Sequence, residues 1–250
     1  MDQSTQKGFF NWSTGKDSAL ALYKILNSEE YCVSGLLTTI NDGFGRVSMH
    51  GIRKELLYQQ VERIQLPLFE VLLPEVPTME SYEKAIGNAL QERITSGDKI
   101  SIFGDIFLED LRKYRADKLA EIGLKAHFPL WKKNTKELVK ELISLGFKAI
   151  VVCVNTSYLG EEFLGKIIDE DFLESLPENV DPCGENGEYH TFVFDGPIFS
   201  NPVQFEVGEK VYRTYQSPLK KENSEEYDCS SDEEIKSGFW YLDLIPLENK

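Results

Sequence analysis

The sequence predicts an α/β protein: a mostly parallel sheet with helices on both faces, followed by a smaller α/β domain. Strand-like apolar runs alternate with amphipathic helical runs through the first 125 residues, the rhythm that builds a parallel sheet. Beyond Asp181 that rhythm gives way to Gly, Pro and acidic residues and then to β-like runs. The 250 residues, 41% of them hydrophobic, suffice for one large core or two modest ones. The expected division is 1–130 for the first domain and 131–250 for the second.

Taken in order, Gly8 to Trp12 is a short strand, and a Ser13-Thr14-Gly15 turn leads into a helix from Asp17 to Leu26. That helix carries Ala19, Leu22, Tyr23 and Leu26 at helical spacing. Val33 to Ile40 is the second strand. A loop, Asn41-Asp42-Gly43-Phe44-Gly45, precedes a helix from about His50 to Ile64, and Leu68 to Leu73 is a strand bounded by Pro67 and Pro74. A helix over 79–95, a strand from Lys99 to Ile106 and a charged helix from Glu109 to Ile122 complete the series. Ligands of such sheets sit outside the carboxyl ends of the strands, where Ser13, Thr38, Gly104 and Asp105 fall.

After His127-Phe128-Pro129-Leu130-Trp131 come a helix from Thr135 to Leu145 and an apolar strand from Ala149 to Val154. Val203 to Val207 and Lys210 to Tyr215, separated by Gly208-Glu209, fit a hairpin. Residues 217–237, with seven acids and three lysines, are expected to form an exposed, mobile insertion. Phe239 to Leu247 returns as an apolar strand of the second sheet, and its edge is a candidate for pairing between copies in a homo-oligomer.

A net charge of −15 opposes binding to phosphate backbones, so no nucleic-acid partner is expected. No apolar run reaches about 18 residues, and Met1 to Lys7 lacks the charged-then-apolar layout of a signal peptide. A cytoplasmic protein without membrane contact is the expectation. Cys32, Cys153, Cys183 and Cys229 are scattered, without zinc-ligand spacing, as free thiols in a reducing compartment would be.

Ser13-Thr14-Gly15-Lys16-Asp17-Ser18 stands directly between the first strand and the first helix. A helix start offers unpaired N–H groups and the positive end of the dipole, so a small-residue turn there wraps an anion with its main chain. Gly15 permits close approach and Lys16 adds a charge. The Walker A pattern does not fit, because Phe10 stands five before Gly15 and Asp17 follows Lys16 where Ser or Thr would hold magnesium. Asp17 is instead suited to ligate Mg²⁺ itself, together with phosphate oxygens, while the Ser13 and Ser18 hydroxyls donate to phosphate. The plain alternative is an N-cap turn, with Ser13 or Thr14 capping and Asp17 complementing the dipole.

The second unusual stretch runs from Asp181 to Thr191. Gly184 and Gly187 let the chain bend tightly, while Glu185, Glu188 and His190 suit the binding of an ammonium or amine, or removal of its proton. A solvated acidic turn is the alternative.

The first loop looks like the S-G-G-K-D-S pyrophosphate loop of the N-type ATP pyrophosphatases, with Thr14 in place of the first glycine. With Phe103-Gly104-Asp105-Ile106, Pro129-Leu130-Trp131 and Asp195-Gly196-Pro197-Ile198-Phe199, the two motifs resemble the diphthine–ammonia ligase family across nearly the whole chain, in that family's order. The 217–237 insertion is not part of that pattern. The resemblance implies a Rossmann-like, adenine-nucleotide α-hydrolase-like domain followed by a smaller α/β domain, with ATP and Mg²⁺ as cofactors. It implies amidation of diphthine, a modified histidine of elongation factor 2, using ammonium, or of another carboxylate-bearing small molecule where the organism lacks diphthamide.

On that reading the β and γ phosphates of ATP lie in the Ser13 to Ser18 loop, with the adenine near Thr38, Thr39 and the Gly104-Asp105 turn. A substrate carboxylate attacks the α-phosphate, Lys16 and an Asp17-bound Mg²⁺ stabilise the leaving pyrophosphate, and ammonia held by Glu185 or Glu188 takes the acyl group. Gly184 and Gly187 adjoin the substrate. Arg112 and Arg115 share a helix face and meet phosphate or substrate carboxylate, the plain alternative being surface pairs with Glu109 or Asp117. His50 opens a helix as a cap or ligand, and His127 is structural. The rivals are a nucleotide sensor and a tRNA-thiolating sulfur-transfer enzyme. The latter asks for reactive cysteines and a basic face, with Cys183 the one thiol to watch.

Overall fold

The structure is a computed structural model describing residues 5–48, 51–215 and 237–247. His50 and the expected insertion, up to residue 236, lie outside the described residues. The first sheet is built around β1 (Gln6–Asn11), which pairs in parallel with β2 (Tyr31–Asn41) on one side and β5 (Ile100–Ile102) on the other. β3 (Arg46–Val47) lies antiparallel on the end of β2, while β4 (Leu68–Leu73) runs parallel to it, and β6 (Lys125–His127) runs parallel to β5. The helices between them are α1 (Lys16–Leu26), α2 (Lys54–Ile64), α3 (Met79–Thr95) and α4 (Glu109–Glu121). The chain thus grows from β1 toward β2 and β4 and then crosses to β5 and β6. The order reverses between β1 and β5, the place where open α/β sheets bind ligands.

Alternation along β1 sorts the two cores. Phe10 faces α1 and α2, packing with Ala19, Leu22, Leu56 and Leu57. Its neighbour Phe9 faces the other way, toward Leu37, Val71, Phe103 and Leu119. The Phe10 core does not stop at the first sheet. It continues through α5 (Thr135–Ser144) to Val151, Val154, Phe192 and Leu242 of the second.

That second sheet is antiparallel, in the order β8 (Tyr189–Asp195), β7 (Lys148–Asn155), β10 (Ser237–Pro246), β9 (Phe205–Tyr215), with α6 (Glu170–Ser175) before β8. Expectations for the second sheet and for two element boundaries need correction. Gly208-Glu209 is not a hairpin turn, because β9 runs through it unbroken. The pairing steps from Lys210↔Leu242 to Val207↔Leu244, so Gly208 and Glu209 together oppose Asp243 in a β-bulge. A Cβ at Gly208 would stand 3.2 Å from the Asp243 carbonyl oxygen, a tight approach that glycine relieves. The Asp181 to Ser200 segment contains a strand, β8. Finally, β10 is flanked by β7 and β9 and is no free edge for another copy. α2 begins only at Lys54, and β5 ends at Ile102, leaving Gly104 and Asp105 in the following loop. No helix among the described residues is long and apolar enough to cross a membrane.

Candidate functional site

The carboxyl ends of β1 and β5 are tied before the loop begins. Asn11 Nδ2 donates to Ser101 Oγ and to the Ile102 carbonyl, both at 2.8 Å, and Thr38 Oγ1 donates to the Trp12 carbonyl at 2.9 Å. The chain then turns sharply. Thr14 has φ 73°, the left-handed region that a β-branched residue occupies only under constraint. Its carbonyl accepts from Val193 N at 3.0 Å and from Gln60 Nε2 at 3.1 Å. Its hydroxyl is fully buried and has no partner among the described residues. Gly15 is the N-cap of α1 and contributes no side-chain acceptor, which leaves first-turn N–H groups open to a ligand. The Lys16 N–H is the exception, donating to Thr191 Oγ1 at 3.1 Å. Ser13 and Ser18 share a hydroxyl hydrogen bond of 2.8 Å.

Lys16 joins the two sequence motifs. Its side chain is buried, and its ammonium donates to both Asp17 oxygens at 2.9 and 2.7 Å and to the Cys183 carbonyl. It also lies 5.3 Å from the Tyr189 ring centroid. Burial is the largest single influence and works against the charge, but the Asp17 carboxylate, together with Tyr189 and Cys183, holds the Lys16 pKa above the ordinary lysine value.

The glutamates and histidine of the second motif take different parts. Glu188 is fully buried and spent on the loop: it accepts from Asp181 N, Asn186 N and Asn186 Nδ2 at 2.9, 2.8 and 2.9 Å. Asp181 holds the same loop, accepting from Cys183 N at 2.8 Å and Thr135 Oγ1 at 2.7 Å. Gly184, at φ 73°, has no room for a Cβ, which would meet the Tyr189 carbonyl at 2.9 Å, and Gly187 takes φ 79°. Glu185 is half-buried on the same loop. Burial first, and then the nearby Asp17 charge, push its pKa up to about 7, against a partial offset from Lys16. Burial first, and then Lys16, lower the His190 pKa against a partial offset from Asp17, which favours the neutral ring. The Cys183 thiol, whose Sγ donates to the Thr135 carbonyl at 3.3 Å, is pushed up by burial, the opposite of an activated nucleophile.

On the β5 side, Gly104 packs directly on the start of α1: a Cβ there would lie 3.0 Å from the Ser18 Cα and N. Asp105 is paired with Arg115, and burial raises its pKa despite that arginine. Arg115 also lies 4.7 Å from the Phe103 ring. Arg112 stacks on Trp131 at 4.6 Å, with Glu109 at 3.9 Å. The arginines therefore meet Asp105 and Glu109, and Asp117 is not the partner. The Thr38 hydroxyl is engaged with Trp12, Thr39 is half-buried on the same strand, and His127 stacks on Tyr31 at 4.6 Å. No group of three or more His, Cys, Asp or Glu gathers for a metal ion among the described residues. An all-protein cage is therefore lacking there, and because both Asp17 oxygens accept from the Lys16 ammonium, a Mg²⁺ at this place would have to be held largely by phosphate oxygens.

The sequence reading missed Gln60, Thr191 and Asn11. Gln60 had a signal: a polar residue on the α2 face that buries Leu56, Leu57 and Ile64.

Comparison with known proteins adds a separate line. The diphthamide synthase N-terminal domain model matches residues 6–126, and the diphthamide synthase C-terminal domain model matches residues 134–224. Diphthine–ammonia ligases of Bos taurus and Homo sapiens are 33% and 32% identical to the chain over 110 residues, covering 42% of this chain and 41% of each relative. The Schizosaccharomyces pombe diphthine–ammonia ligase is 31% identical over 116 residues, 45% of this chain and 18% of that protein. The chain spans about two fifths of the mammalian relatives it matches, and less of the fission-yeast one.

Proposed function

Because the chain belongs to the diphthine–ammonia ligase family, we propose that it is an ATP-dependent ligase that adenylates a carboxylate and passes the acyl group to ammonia. The observation that carries the reading is the junction at Lys16. A phosphate-binding type of loop and the loop that carries Glu185, whose pKa stands near neutrality, meet where the Lys16 ammonium donates to the Cys183 carbonyl, although 167 positions separate those two residues.

The β and γ phosphates of ATP occupy the loop from Ser13 to Ser18, with the adenine toward Thr38, Thr39 and the Gly104-Asp105 turn. The substrate carboxylate oxygen attacks the α-phosphorus, and the bond to the bridging oxygen breaks, releasing pyrophosphate and leaving an acyl-adenylate. Lys16 and the first-turn N–H groups neutralise the charge that grows on the pyrophosphate. Mg²⁺, if held by Asp17 and phosphate oxygens, supplies further neutralisation. Glu185 binds ammonium, and as its carboxylate it takes the proton that frees ammonia to attack the acyl carbon, with AMP leaving. Glu188, Gly184 and Gly187 shape the loop that carries Glu185, Asp105 and Arg115 pair on the β5 side, and His190 follows the loop at the start of β8. Arg112, the less committed arginine, faces the acyl substrate. The family names diphthine, on elongation factor 2, as that substrate, with a small carboxylic acid as the other option. Residues 1–130 supply the nucleotide site and 131–250 the acceptor side, in a cytosolic setting.

The test is product analysis with ATP, Mg²⁺, ammonium and diphthine-bearing elongation factor 2. AMP, pyrophosphate and a new amide are expected. ADP as the product, or nucleotide binding without turnover, would overturn the proposal in favour of a kinase or a sensor.

A further inference from the structure

Gln60 stands beside the loop with both ends of its amide engaged. It is fully buried, and its hydrogen bonds reach pieces of the site: Oε1 accepts from Trp12 Nε1 at 2.9 Å, while Nε2 donates to the Thr14 carbonyl at 3.1 Å and the Val193 carbonyl at 2.6 Å. It therefore links the end of β1, the turn, and β8 from a single position on α2. Thr14 needs such a link. Its φ of 73° is unfavourable for a branched side chain, and among the described residues its buried hydroxyl makes no bond that would hold it there. The restraint comes through its carbonyl, held by Gln60 and by Val193 N. With its carbonyl taken up by these two donors, Thr14 stands directly before the first-turn amides of α1, the donors an anion at a helix start would use.

We infer that Gln60 is a positioning residue, holding Thr14 in the left-handed conformation on which the loop's grip on an anion depends. The inference rests on the loop being the nucleotide's phosphate site, as proposed above. Leucine at position 60 would fill the space but leave the Thr14 carbonyl with Val193 N alone. Glutamate would set a carboxylate against two carbonyl oxygens and should be worse than leucine.

The test is a double-mutant cycle read by calorimetric binding of a non-hydrolysable ATP analogue. Gln60→Leu is expected to weaken binding by roughly tenfold. Glycine adopts positive φ at little cost, so Thr14→Gly in the Gln60→Leu background is expected to restore most of that affinity. Thermal stability should behave differently: the groups of Trp12 and Val193 left unpaired by Gln60→Leu stay unpaired in the double variant, so its melting temperature should not recover. Gln60→Met, with its unbranched stem, replaces leucine in the cycle if Gln60→Leu does not fold. Unchanged binding by the position-60 variant, or strictly additive effects of the two substitutions, would overturn the inference while leaving the nucleotide site intact. Failure of the unmodified protein to bind the analogue would overturn both.

Discussion

Lys16 keeps its charge in a place where burial alone would remove it, and that makes it the residue whose loss should tell most. Replacing it with alanine is expected to lower AMP formation roughly 100-fold, the consequence of losing about 3 kcal/mol of transition-state stabilisation. An initial-rate assay measures this directly. Glu185 has a pH signature with two opposite signs. Its pKa is raised from 4.5 to about 7, so between those values the folded protein holds a proton that the unfolded chain has released. Its stabilising contribution is therefore present at low pH and falls as pH rises through that window, while turnover, which needs the carboxylate, rises through about pH 7. Glu185→Gln should flatten the stability trend in urea titrations and remove that limb of the rate profile. The sequence named Glu185 and Glu188 as equals because composition does not reveal which carboxylate faces backbone donors. The Asn186 and Asp181 amides that occupy Glu188 become visible only once the loop is folded.

At the level of elements, the strand-helix rhythm of the first half was readable because its periods differ so clearly. α1 and α3 show helical spacing, and β4 lies between prolines. β8 was not readable. Its apolar run Phe192-Val193-Phe194 is short, and its first residues are shared with the glycine- and glutamate-rich motif. Gly208-Glu209 misled for a related reason: a glycine-led pair satisfies a turn and a bulge equally well, and only the register across β10 decides. The bulge has a consequence at Asp243, which accepts from Arg46 Nη2 at 3.0 Å and from Arg53 Nε and Nη2 at 3.1 and 2.6 Å. The last described strand thereby clamps the start of α2, the helix that carries Gln60. Asp243→Ala is expected to cost about 1 kcal/mol, modest because both arginines are about a third exposed and screened. Urea unfolding should show a lower midpoint at an unchanged slope, and high salt should shrink the difference.

For the whole molecule, the two sheets are bound by one continuous core, and the loop from β1 is completed by β8 of the other sheet through Thr191 and Val193. Neither half alone holds the site. That long-range closure is why spacing in the sequence identified both motifs but not Gln60 or Thr191, whose roles depend on partners more than 40 and 170 positions away. The net charge of −15 frames the same site: in an acidic protein, a phosphate ligand must be drawn by a local arrangement of amides and one buried lysine rather than by a basic surface. A crystal structure with a non-hydrolysable ATP analogue tests this most directly. The account predicts the β and γ phosphates on the amides between Gly15 and Ser18, within hydrogen-bonding reach of Lys16, and the α-phosphate turned toward Glu185. A triphosphate bound elsewhere, or lying in the loop with its α-phosphate innermost, would contradict it.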